Sequence, residues 1–127
     1  MGSFKKYNLN SVSGILHVMP FKFPGVKDTG ETVSVRSLHS AEFREANAEA
    51  ARQRSVLRTG NDGDLDDQSA QDIHDRAFAA LVAEWTFDEE CNVDNIVQFL
   101  RDNPHFRDEV NITVTDDSLF FKNAENS

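Results

Sequence analysis

The residues of this sequence best suited to chemistry are its carboxylates, its four histidines and its single cysteine. Asp62, Asp64 and Asp66 stand at alternate positions, the spacing with which a calcium loop presents its first ligands. Two later requirements fail. Asp67 fills the sixth position, where a sharp turn needs glycine, and Ile73 the twelfth, where a bidentate glutamate closes the site. The stretch therefore reads as a solvated acidic linker. A zinc site drawn from His17, His39, His74, His105 and Cys91 would need ligands at helical or paired-cysteine spacing, and no two of these have it. Asp88, Glu89 and Glu90 would serve as acid or base only where shielding raises a pKa, and their surroundings read as a loop. Cys91 lacks the glycine-framed elbow or oxyanion motif of a nucleophile and reads as an ordinary free thiol. The sequence contains no phosphate loop and no dinucleotide fingerprint. The expectation is a protein with no catalytic residue, no metal and no cofactor. Trp85, at helical core spacing, reads first as packing and second as a partner anchor.

Composition narrows the classes further. A chain of 127 residues suffices for one compact domain, and 39% hydrophobic residues with a mean hydropathy of -0.53 predict a modest core with polar, mobile ends. Thirteen basic against 22 acidic side chains give a formal charge of -9. That field repels phosphate and anionic headgroups, so neither nucleic acid nor a membrane surface is an expected partner. The lone cysteine and the absence of a signal-peptide pattern predict a cytoplasmic protein, and no apolar run approaches the roughly 20 residues of a membrane span.

The elements that must position these residues follow from periodicity. Residues 1–10 read as a flexible terminus. Residues 11–37 read as a β hairpin or extended arm, with Phe21 and Phe23 alternating on one strand and Val33 and Val35 on the other, around a Pro24-Gly25 to Gly30 turn. Ser40 is the predicted N-cap of a helix over 40–57 whose thin stripe of Phe43, Ala46, Ala50 and Leu57 packs weakly or awaits a partner. Residues 58–68 read as a flexible acidic linker. Within a helical core over 69–114, a second helix from Ser69 carries Ile73, Ala77, Ala80, Leu81 and Trp85 at helical spacing to about Trp85 or Phe87. A third follows Asn92, with Val93, Ile96, Val97 and Leu100 on one face, and Pro104 opens a fourth. Ile112 and Val114 are ambiguous between strand and helix, and 115–127 read as a flexible tail. The expected fold is mainly α, a small domain of about four helices with a short N-terminal hairpin or arm.

Two segments resemble a family. VKDTGETVSVRSLHSAEFREANAEAARQR, from Val26 to Arg54, places a glycine turn and strand before a serine-capped helix, with Ser40, Glu42, Phe43 and Arg44 carrying the match. AFAALVAEWTFDEECNVDNIVQFLRDNPHFRDEV, from Ala77 to Val110, runs helix, tryptophan, acidic turn and a further helix ending before a proline, with Trp85, Asn95, Leu100, Pro104 and Phe106 carrying it. Together they resemble the tail assembly chaperones of long-tailed bacteriophages, departing at Cys91-Asn92-Val93, where glycine or proline and a serine cap would stand. The resemblance implies a non-catalytic role: binding a helical tape-measure protein and helping to recruit tail-tube subunits in the host cytoplasm, without entering the mature virion. It also implies a longer frameshifted product, and Leu119-Phe120-Phe121 is compatible with a uridine-run slippery site, which the codons there would test. Candidate partner-binding residues are Phe43, Arg44, Trp85, Phe106, Phe120 and Phe121, and a small core with thin stripes is expected to form a homo-oligomer. The rival reading is an acidic mimic of DNA that inhibits a nucleic-acid-binding partner. Its charge should cover the whole surface, whereas the first helix here is near neutral.

Overall fold

The computed structural model describes residues 14–60 and 63–125, with side chains as far as Lys122; the expectations for residues 1–10 and for Asp62 lie outside the described residues. The chain forms β1 (Leu16–Pro20), β2 (Thr32–Arg36), α1 (Ala41–Thr59), α2 (Asp67–Ala79), β3 (Val82–Trp85), α3 (Val93–Asp102), α4 (Pro104–Val114) and α5 (Asp117–Glu125). The expectation of a mainly α domain of about four helices is corrected by this architecture: 55% is helical, 15% lies in a three-stranded antiparallel sheet, and the described residues form five helices.

The sheet order is β1-β2-β3, with Met19 opposite Val33 and His17 opposite Val35 in the first pair. The first strand falls earlier than the Phe21/Phe23 alternation suggests. Phe21 extends the ladder by one bond, from its N–H to the Glu31 carbonyl at 2.9 Å, and Phe23 then turns away. Gly25 and Gly30, at φ of 83° and 72°, take the left-handed conformations that let the connection reverse.

The largest departure is β3. The predicted second helix stops at Ala79, and Val82–Trp85 pairs with β2 instead, Val82 opposite Val35 and Trp85 opposite Val33, with a bulge between Ser34 and Val35. No glycine or proline marks the stop. The carbonyls at the helix end are met by another segment: the Arg36 N–H donates to the Leu81 carbonyl at 2.7 Å, and its guanidinium to the carbonyls of Ala80 at 2.8 Å and Val82 at 3.1 Å. Burying β-branched Val82 against the fully buried Val35 rewards the extended form.

Caps set the other helix starts. The Ser40 hydroxyl accepts from the Phe43 N–H at 3.3 Å, and the Asn92 side chain from the Asn95 N–H at 2.9 Å. Helix α2 starts two residues before the expected Ser69 because Asp66 is the cap, accepting from the Ser69 N–H at 2.8 Å. Proline opens α4, and Ile112 and Val114 lie within that helix. The flexible tail expected from residue 115 is corrected by α5, whose Phe120 is fully buried.

The main core joins Val33 and Val35 of the sheet to Leu81, Phe106, Val110 and Phe120. A second, smaller cluster of Ala50, Ile73 and Ala77 holds α1 to α2, with Ala46 packed against it.

Candidate interaction surfaces

Helix α1 presents little to the core. Ala50 is its one buried residue, and alanines at the contact let α2 approach closely. Beyond Ala50 the pairing leaves a groove of about 720 Å³ between the C-terminal half of α1 and the start of α2. Its apolar part is Val56, Leu57 and Ile73, and its charged rim is Glu49, Arg52 and Asp72. Val56 is 70% exposed and Leu57 43%, far from the burial their type favours. The rim is largely self-neutralising. Glu49 is ion-paired with Arg52, whose hydrogen bond and charge hold the Glu49 carboxyl below its ordinary value. Asp72 meets Arg76 at 3.3 Å and Arg101 at 3.3 Å.

Across α2, charges stitch helices together. Asp75, buried, accepts from Arg101 at 2.9 Å and Gln71 at 2.7 Å and lies 3.6 Å from Arg107. Each of its two oxygens accepts a hydrogen bond, so the arrangement has the character of a structural clasp between α2, α3 and α4.

A second concavity, of about 310 Å³, lies between the end of β3 and α3. Trp85, Phe87 and Phe99 form its aromatic wall. The Trp85 ring lies 5.3 Å from Phe87 and 5.5 Å from Phe99, and those two lie 4.9 Å apart, with planes inclined by 74°, 76° and 54°. Its polar rim comprises Glu89, Asn95, Gln98, Asp102 and Asn103.

The chemistry-bearing candidates are scattered. His39 bonds Asp117 at 3.0 Å, His105 donates to the Lys22 carbonyl at 2.9 Å, His17 stacks edge-on with Phe120, and His74 lies by Phe78. Among the described residues no group of three or more histidine, cysteine, aspartate or glutamate side chains is placed to hold a metal ion. Asp88, Glu89 and Glu90 are exposed. Cys91 is partly buried, and that burial pushes its thiol pKa up, which disfavours the reactive thiolate. Asp66 serves as a helix cap.

The six candidate anchors separate into distinct classes. Phe106 and Phe120 are fully buried core residues and cannot meet a partner without unfolding. Phe43 and Phe121 are partly buried against the same core, and Arg44 is exposed on α1. Trp85, half-buried, sits on a strand and not on a helix. Reading the sequence missed Val56, next to Leu57 at the end of the α1 stripe, and Phe99, which falls between the inward-facing Ile96 and Leu100.

Comparison of the chain with family models, with curated proteins and with solved structures found no match. Among the described residues no helix is long and apolar enough to cross a membrane.

Proposed function

We propose that this chain is a non-catalytic assembly factor of the phage tail assembly chaperone type, which holds a helical segment of a tape-measure protein in the α1–α2 groove and helps to bring tail-tube subunits to it. The observation that carries the reading is the groove itself, an open apolar strip flanked by charges that already neutralise one another. Such a strip suits the apolar face of an amphipathic helix, whose i, i+3, i+4 anchors would cover Val56 and Leu57. The two resembling segments supply the identity of that helix. Helix α1 also argues against the acidic-mimic reading, since its C-terminal half carries Arg52, Arg54 and Arg58. On this reading the protein works in the host cytoplasm, stays out of the virion and self-associates, which light scattering at high concentration would reveal.

The test is binding of helical tape-measure fragments to the full chain by calorimetry, with Val56→Asp as the probe. Because Val56 is exposed, its replacement should change folding stability by no more than about 0.5 kcal/mol while removing binding. The complex should tolerate salt, since apolar burial is little screened. Binding that survives Val56→Asp would overturn the groove as the binding site, and a complex formed only with a basic DNA-binding protein and lost steeply with salt would replace this reading with the acidic mimic.

A further inference from the structure

The pocket between β3 and α3 has a chemistry unlike that of the α1–α2 groove. Its donors are turned towards the protein. The Trp85 indole N–H donates to the Glu89 carbonyl at 2.8 Å, the Asn95 amide to the Glu90 carbonyl at 2.8 Å, and the Asn103 amide to the Phe99 carbonyl at 3.0 Å. The Gln98 amide donates to the Asp102 carboxylate at 2.9 Å. Every acceptor in that set lacks a proton to give, so each amide must present its nitrogen to the bond. Among the described residues nothing donates to the oxygens of these three amides or to the Glu89 carboxylate, and no cationic side chain lines the pocket. What remains is a wall of three inclined aromatic rings beside solvent-facing acceptors and two carboxylates.

We infer that this pocket binds the guanidinium of an arginine side chain presented by a partner protein. Aromatic faces attract a cation through their quadrupole, and guanidinium stacks on them while its five donors address surrounding acceptors. A quaternary ammonium would leave the acceptors unmet, and an ammonium fits the aromatic wall less well than a planar ion. The chain's acidic excess favours a basic partner over a second copy, which could offer only Arg44, Arg54 and Arg58 from outside the ion pairs. The chain has 22 acidic against 13 basic side chains, and Arg36, Arg52, Arg76, Arg101 and Arg107 are already held in ion pairs within it. The inference goes beyond the proposed helix groove and does not rest on it.

Trp85 is the only tryptophan, so its fluorescence reports on this pocket alone. The full chain is titrated with N-acetyl-arginine amide and with its lysine and citrulline counterparts. The arginine compound should change the Trp85 emission saturably, the lysine compound several-fold more weakly, and uncharged citrulline not at all. A Glu89→Gln, Asp102→Asn double variant, altered at two exposed positions and checked for an unchanged Tm, should weaken arginine binding roughly tenfold, whereas Val56→Asp should leave it unchanged. An equal response to citrulline, unweakened binding by the double variant, or no saturable response to arginine would each overturn the proposal. A Trp85 emission that shifts with protein concentration alone and is restored by Arg58→Gln would place a second copy in the pocket and overturn the assignment to a foreign partner.

Discussion

Arg36 joins three segments through one side chain: its guanidinium reaches the carbonyls of Ala80 and Val82 and lies 3.7 Å from Glu42 at the start of α1. Those carbonyls end a helix and begin a strand, so without the guanidinium they would be partly buried and unmet. Arg36→Ala should cost about 2–4 kcal/mol in urea unfolding, and Arg36→Lys should recover only part, because an ammonium cannot reproduce the planar fork. Asp66 acts at the same scale. The hydrogen bond from the Ser69 backbone, then that from its hydroxyl, hold the Asp66 carboxyl below its ordinary value of 3.8. A group whose folded pKa is depressed contributes fully above its unfolded pKa and loses that contribution as pH falls through the folded one. The Tm difference between the wild type and Asp66→Ala, on the order of a few degrees at neutral pH, should therefore shrink as the pH is taken below that ordinary value.

Among the elements, α5 shows how a short polar-looking segment becomes part of the core. Asp117 at its start bonds His39 in the turn before α1, and one turn on Phe120 fills the space beside His17 on β1. Phe120→Ala should cost about 3–5 kcal/mol by leaving a cavity where a whole ring was packed. Phe121→Ala should cost clearly less, because that ring is only partly buried. Denaturation of the two variants side by side checks the order. The starts of α1, α3 and α4 were legible from Ser40, Asn92 and Pro104, since a cap is a local bond between neighbours in the chain. The end of α2 was not. Ala80, Leu81 and Trp85 continue its helical spacing, and the partner that stops it, Arg36, lies far away in sequence.

At the scale of the whole molecule, stability is unevenly shared. The sheet, α3, α4 and α5 close over one core, whereas α1 is held beyond its first turns by the small Ala50, Ile73 and Ala77 cluster. Amide exchange should therefore be fastest in the C-terminal half of α1 and slowest in β2 and α4, where Val33, Val35, Phe106 and Val110 are completely buried. Uniform protection across all helices would contradict this division. The division also separates the candidate sites: the groove lies along the loosely held α1, while the arginine pocket is built from the end of β3, the loop that follows it and α3.

By itself the sequence determined the acidic balance, the failed calcium and zinc spacings, and the helix starts written into local caps. Each of these depends on residue type or on neighbours a few positions apart. Tertiary structure alone decided that Trp85 lies on a strand, that Phe106 and Phe120 are core while Val56 stays exposed, and that Phe87 and Phe99 join Trp85 around one pocket. Those outcomes depend on which distant backbone groups supply hydrogen bonds and on which faces remain uncovered once the sheet has closed.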